Sequence, residues 1–480
     1  MGVGVSNWRL AQAVSRLGQL GVVSGTALDQ VFARRLADGD KDGQMRRGLE
    51  AFPFPEMARR IWQEYFTPGG KPAGAPYPST PMHQRNDSPG LIELCIVGNF
   101  VEVFLARQGH RNAVGINYLE KVQIPHLASI YGAMLAGVGY VLMGAGIPLH
   151  IPGVLDAFAA GQPAEYKLAV TGAAADQDTE MRFAPAGFAE GGLPALTRPK
   201  FLAIVSSNTL AATMLRRANG RVDGLVIEGP TAGGHNAPPR GKTQLTAAGE
   251  PMYGERDRVD LAELRRLGAP FWLAGGKGNR AMLRQALGEG AAGVQVGTAF
   301  ALSEESGLRP ELKRELLAQA RTGSGRVYTD PLASPTGFPF KVAQLSGTSS
   351  EAAVYGERKR CCDLGYLREA YATPEGKIGY RCSAEPVASY VAKGGKLEDT
   401  VGRKCLCNAL MANIGHPQSR NGHGTEPPLV TMGDDLNSVA QFLTPGRESY
   451  SAADVVESLL SFAADERAVE REPESVAATA

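Results

Sequence analysis

Chemistry in this chain is concentrated in VDGLVIEGPTAGGHNAPPRG, Val222 to Gly241. Its apolar run, Gly224 to Ile227, reads as a buried strand. Glu228-Gly229-Pro230 ends that run, because proline cannot continue a central strand. Gly233, Gly234 and His235 follow, and then a proline-rich loop. Glycines let a backbone approach a ligand closely, since no Cβ intervenes. A histidine just past a strand end, here His235, is a candidate proton acceptor near neutral pH. The same residues also read as a plain turn followed by a solvated histidine.

A second group is made of sulfur. Of six cysteines, five lie between Cys361 and Cys407, within RKRCCDLGY, GYRCSAEP and GRKCLCNAL. In a cytosolic protein such a cluster suggests metal or redox chemistry more than structural disulfides. Cys362, Cys382, Cys405 and Cys407 supply four thiolates for zinc or an iron–sulfur cluster. Their spacing fits no familiar zinc-finger or ferredoxin pattern, so buried reduced cysteines or a redox disulfide stay open. Arg358, Lys359, Arg360, Arg403 and Lys404 flank them. These cations would lower a thiol pKa or bind an anion, although solvated basic residues are the ordinary reading.

The elements that must position these groups alternate regularly. Strands are expected at 1–5, 22–25, 113–117, 140–145, 201–206, 224–228, 271–275 and 293–298, with helical patterns between them. Such alternation implies parallel strands with helical crossovers, and eight units close most simply into a (β/α)8 TIM-type barrel. An open doubly wound sheet is the alternative, but it would concentrate its glycines after the first strand. Ser6 or Asn7 caps a first helix from about Trp8 to Leu17. Residues 30–90 look irregular apart from the helix MARRIWQEYF, and GGKPAGAPYPSTP is a loop that would lie across a site. SAADVVESLLSFAADE reads as an amphipathic helix. The expected organisation is a barrel over 1–345 with insertions at about 30–90 and 164–199, a smaller Cys-containing C-terminal appendage over 346–465, and a flexible tail over 466–480.

In a barrel the functional face is formed by the strand C-termini, and the loops after strands seven and eight often hold phosphate. LAGGKGNR, with Gly275 and Gly276, and VGTAF, with Gly297 and Thr298, fall in those two loops. They offer backbone N–H groups beside helix N-termini, which favours an anion. Lys277 stands where it would face that anion.

Fifty basic and 49 acidic residues leave a formal charge of +1, which points to neither nucleic acid nor a membrane surface. No apolar run approaches the ~20 residues that span a bilayer, and no signal peptide opens the chain, so a cytoplasmic location is expected. His110, His126, His150, His416 and His423 show no ligand spacing, and His83 sits in the early loop.

VIEGPTAGGH, WLAGGKGN, GVQVGTAF and SPTGFPFK together resemble the nitronate monooxygenase family, also called 2-nitropropane dioxygenases, which are FMN-dependent barrel enzymes. The resemblance runs over roughly residues 1–345, and the opening MGVGVS resembles the family's first FMN loop. The same loops occur in the FMN enoyl reductases of polyketide and polyunsaturated fatty acid synthesis. By position, the resemblance implies that Met1, Gly2 and Val3 line the flavin ring and that Asn117 reaches the flavin or its ribityl chain. Gly233 and Gly234 would approach the cofactor, Gly275, Gly276, Gly297 and Thr298 would hold its phosphate, and His235 would be the catalytic base. Two departures stand out. Glu228 replaces a neutral amide common in the family, and the chain begins where family strand residues already precede, so a late recorded start or another segment completing the barrel is expected. The first reading is oxidation of an alkyl nitronate with O2. The alternative is an NADPH-dependent enoyl reductase, and a third, non-enzymatic reading is a flavin-binding scaffold. A homo-oligomer or a place in a biosynthetic complex is compatible with each.

Overall fold

The computed structural model describes residues 2–189, 191–420 and 424–461. Seven strands form one curled parallel sheet: β1 (Gly21–Ser24), β2 (Val114–Leu119), β3 (Tyr140–Gly144), β4 (Lys200–Val205), β5 (Gly224–Glu228), β6 (Phe271–Ala274) and β7 (Gly293–Gln295). Each pairs with the next in chain order. This is the arrangement of a TIM-type barrel, and helices occupy most of the crossovers. The strands are short apolar runs buried on both faces, as parallel strands must be. Leu142, Leu202, Ile204, Val226 and Ala274 make the inner cluster, while Val141, Met143, Phe201, Ala203 and Leu225 turn outward against the helices.

The strand expected at residues 1–5 is absent among the described residues, where residues 3–5 form a turn. Gly4 has φ +60, a left-handed conformation no strand contains. The turn nevertheless sits at the seam of the barrel. The Val5 carbonyl accepts a hydrogen bond from the Gly307 N–H at 2.8 Å, and the Ser6 carbonyl accepts one from the Ser24 N–H at 2.8 Å. The chain start is thus stitched both to the end of β1 and to the segment beyond β7.

The region expected to be irregular contains three helices, Leu28–Ala37, Gln44–Glu50 and Pro55–Tyr65. The first two, which were not expected, follow left-handed Ala27 and Gly43 without a side-chain cap, while the third, expected as MARRIWQEYF, opens on Pro55, a usual helix-start signal. Helix Pro89–Ala106, capped by Ser88, is long and apolar enough to pass for a membrane span, but 78% of it is buried inside the fold. It is the central packing helix. It fits tightly against Leu28–Ala37 and His126–Leu135 because of two glycines. A Cβ at Gly98 would stand 2.7 Å from the Leu28 carbonyl oxygen, and one at Gly132 would collide with the Ile96 carbonyl. Gly132→Ala is therefore expected to lower stability by about 1–3 kcal/mol through overpacking, read as a reduced urea midpoint.

The insertion at 164–199 holds an antiparallel pair, Ala164–Lys167 with Glu180–Phe183. Its short strand Val170–Thr171 pairs with Glu369–Ala372, which also pairs with Ile378–Arg381. The last described helix, Ala452–Leu460, packs its Ala452 on Leu10 and Val14 of the first helix, Trp8–Arg16. The expected tail at 466–480 lies outside the described residues.

Candidate active site

A cavity of about 940 Å³, counted with its space open to solvent, lies at the strand C-termini. Ser24 ends β1 there, Asn117, Tyr118 and Leu119 end β2, Gly144 ends β3, Ile204 lies near the end of β4, and Glu228 ends β5. Of the residues singled out from sequence, Gly2, Val3, Asn117, Gly233, Gly234 and His235 all line this cavity. Met1 lies outside the described residues.

The two glycines before His235 have distinct local reasons. A Cβ on Gly233 would stand 2.9 Å from the backbone of Met432 and Gly433, so this glycine admits the appendage. Gly234 has φ +88, and its N–H donates to the Thr431 hydroxyl at 2.7 Å. The turn presents His235 between Ser334, whose Oγ is 2.7 Å from Nε2, and Phe340, whose ring stands edge-on at 4.8 Å. Ser334 is itself bonded to Thr336. Burial pushes the imidazole down to about 3, so His235 is neutral at any ordinary pH. Burial acts in the opposite sense on Glu228, raising its carboxyl to about 7.

Gly275, Gly276, Gly297 and Thr298 do not line the cavity but flank it, in the loops after β6 and β7. Gly275 has φ +91, and a Cβ on it would lie 2.8 Å from the Thr231 hydroxyl, in the same turn that leads to Gly233. Gly276 has φ +64, and Asn279 caps the following helix, Arg280–Gly288, by accepting from the Met282 N–H. Thr298 differs from expectation. Its hydroxyl donates to Asp435 at 2.6 Å and accepts from the Gly433 N–H at 3.0 Å, so the appendage already engages it.

The appendage also supplies a large part of the cavity wall. Tyr366, Leu367, Leu406, Cys407, Leu410 and Thr431 line it, and none of them was expected at this cavity, Cys407 having been singled out only as a metal ligand. Tyr366 is held by a buried chain of groups. Its hydroxyl donates to Asp29, Asp29 is 3.0 Å from His83 Nε2, and His83 Nδ1 is 2.5 Å from Asp87. Burial alone would lower the His83 pKa, but the hydrogen bonds to Asp29 and Asp87 outweigh it and raise it to about 9. A raised histidine pKa adds stability that is full below its unfolded value near 6.5 and is lost as pH rises through 9. Thermal stability is therefore expected to decline between pH 6.5 and 9, and His83→Gln to flatten that decline in a melting series.

The cysteines are free thiols. Among the described residues, no group of three or more His, Cys, Asp or Glu side chains is gathered so as to hold a metal ion, so neither the expected zinc nor the expected iron–sulfur cluster on Cys362, Cys382, Cys405 and Cys407 finds support. Burial pushes the Cys362 thiol up to about 12 and raises Cys382, Cys405 and Cys407 as well. The flanking cations do not overcome it, contrary to the expectation of lowered thiols. Arg358 is not a solvated cation either: its side chain is 4% exposed and paired with buried Glu426. His423 lies outside the described residues.

Residues 172–324 match the family model for nitronate monooxygenase. This span is similar to the nitronate monooxygenases. The chain is an FMN-dependent oxidoreductase. The matched span contains β4 to β7, the His235 turn and both glycine loops. Among solved structures, the enoyl reductase domain of MlnA, from the macrolactin biosynthesis cluster of Bacillus amyloliquefaciens, is similar with TM-score 0.50 and 10% identity, over 98% of this chain and 94% of that one. FabK from Thermotoga maritima (TM-score 0.47, 15% identity, 97% and 92% covered) and a nitroalkane oxidase from Streptomyces ansochromogenes (0.45, 16%, 98% and 95%) are also similar. No curated protein matches the chain in sequence.

The cavity has room for a flavin. The cavity gives a planar ring the backbone of Gly2, Gly144, Gly233 and Gly234 to lie against. The left-handed Gly275-Gly276 turn and the capped helix beyond it give a phosphate an N-terminal dipole. One residue fits less easily. Asp435 stands at the phosphate side, but burial raises its pKa and so favours its neutral form.

Proposed function

We propose that this enzyme reduces an activated carbon–carbon double bond in an uncharged acyl substrate, as an enoyl reductase does with NADPH. The observation that carries this reading is the charge on the cavity wall. No Lys or Arg lines it among the described residues, His235 is neutral, and Glu228 is the one side chain there poised to carry charge near pH 7. An alkyl nitronate is an anion. It would meet a carboxylate with no Lys or Arg among the described residues of the cavity wall to hold it, and two like charges 4 Å apart repel by about 4 kcal/mol at an effective dielectric of 20. A neutral enone or enoyl thioester meets no such cost, and Leu119, Ile204, Leu367, Leu406 and Leu410 give its chain an apolar bed.

FMN, when bound, supplies the hydride chemistry. The chain's own residues supply the proton and the positioning. Glu228, protonated below about pH 7, is the acid for the substrate α-carbon. Imidazole with a pKa near 3 is a poor base, so His235 is assigned to hydrogen bonding and orientation, fixed by Ser334. Nitronate oxidation with O2 remains the second reading, supported by the family match. Both act on a small molecule. Anaerobic protein carrying FMN separates them. Bleaching of the flavin band by NADPH, with recovery on adding a crotonyl thioester, supports the reductase. Bleaching by an alkyl nitronate alone, with no response to NADPH, overturns it.

A further inference from the structure

We propose that Ser334 donates its hydroxyl proton to Nε2 of His235 and so holds the imidazole as the tautomer that presents Nδ1–H to the cavity, as the hydrogen-bond donor for the substrate's carbonyl oxygen. The role toward substrate rests on the enoyl reductase reading, and the tautomer does not.

In a neutral imidazole the nitrogen that carries the proton is set by the hydrogen bond the other one makes. Nε2 of His235 is 2.7 Å from Ser334 Oγ. Ser334 is fully buried and is not part of the cavity wall, so this edge of the ring points into the protein. Nδ1 has no hydrogen-bond partner among the described residues, yet it is not a buried orphan as Nδ1 of His110 and of His126 are. His235 lines the cavity, so Nδ1 opens on it.

The hydroxyl protons decide the direction. Ser334 Oγ accepts from the Thr336 N–H at 3.2 Å and stands 2.8 Å from Thr336 Oγ1, which accepts from the Phe338 N–H at 3.4 Å. Among the described residues, the Thr336 hydroxyl has no acceptor other than Ser334 Oγ. A hydroxyl has one proton and two lone pairs. When Thr336 donates to Ser334, both Ser334 lone pairs are taken, and its own proton has one place left, Nε2. In the opposite direction Nε2–H donates to Ser334, Ser334 donates to Thr336, and the Thr336 proton has no acceptor. The first chain is complete and the second is one hydrogen bond short. The appendage pins this relay: Arg403 Nη1 donates to the Ser334 carbonyl at 2.7 Å and to the Leu332 carbonyl at 2.8 Å, and the Lys404 N–H donates to the Ala333 carbonyl at 2.8 Å.

The tautomer suits the reaction. With NADPH as reductant through bound FMN, hydride reaches the substrate β-carbon and the double-bond electrons move onto the carbonyl oxygen. The enolate so formed takes a proton at the α-carbon from Glu228, and the carbonyl is restored. A donor aimed at the oxygen stabilises charge where it develops, and a neutral imidazole does so without giving its proton away. His235 and Glu228 share the cavity wall, so donor and acid are separate residues there. His235 is then a catalytic residue, and Ser334 and Thr336 are positioning residues that act through it.

The test uses the full chain carrying FMN, with ¹⁵N-labelled histidine. The His235 resonances are identified by their loss in His235→Asn, and the proton is expected on Nδ1. Ser334→Ala should move part of it to Nε2 and lower kcat with little change in KM, because the donor matters only as charge develops. An oxyanion donor is worth about 10²- to 10³-fold in kcat, so His235→Ala should lose that much with a crotonyl thioester, while His235→Asn, whose amide N–H can take the place of Nδ1–H, stays within about tenfold of the parent. A proton on Nε2 in the parent overturns the proposal, as does an Asn variant no better than the Ala one. The parent spectrum needs neither a variant nor a substrate. Nδ1–H in a protein whose flavin NADPH does not bleach keeps the relay and removes the reductase reading, so the two failures are told apart.

Discussion

Glu228→Gln is expected to abolish most enoyl reduction and to create nitronate turnover where the parent has little. The carboxyl is the proton donor in the proposed reaction, and removing a positioned acid costs about 10²- to 10⁴-fold in kcat. The glutamine restores the neutral amide that the sequence resemblance led us to expect at this position, and removes the one charge that opposes an anionic substrate. The parent's kcat should fall as pH rises through about 7, because the acid must be protonated to work and burial places its pKa there. That descending limb should vanish in the variant while FMN content stays unchanged. A pH profile that is identical in both proteins would remove Glu228 from the chemistry.

Gly276→Asp is expected to strip FMN from an otherwise folded protein. Gly276 has φ +64, and an added Cβ would meet only Thr231, at 3.5 Å, so a side chain has room there. Its carboxylate would face the expected phosphate. At about 4 kcal/mol for two like charges 4 Å apart, FMN affinity should drop by about a thousandfold. Gly276→Asn tests the shape alone, since asparagine tolerates the left-handed conformation without charge, and it should retain the yellow colour. Equal loss in both variants would indicate strain rather than electrostatics.

Much of the barrel was legible because its strands are uninterrupted apolar runs with glycines at their ends, a pattern visible without neighbours. Gly233, Gly234 and His235 could be placed in the site for the same reason. The first strand was misread because GVGVS has alternating apolar residues, while Gly4 in the left-handed region makes a turn of it. The helices at 28–37 and 44–50 were missed because a left-handed residue, rather than a Ser, Thr, Asp or Asn cap, starts each of them. Tyr366, Leu410 and Thr431 reach the cavity only through tertiary packing, which no local pattern announces. The acid–base assignment changed for a related reason. Histidine chemistry follows from burial, and burial drives His235 to neutrality while it lifts Glu228 toward pH 7.

The short strand Val170–Thr171 lies along Glu369–Ala372, although nearly 200 residues separate them and each belongs to a different extension of the barrel. An exposed strand edge recruits other chains, and here each extension covers an edge of the other. Neither is then a free addition. A homologue that lost the 164–199 insertion would bare the edge of the appendage sheet, so the two extensions are expected to be inherited together. Chimeras that exchange only one of them should aggregate where paired exchanges stay monodisperse.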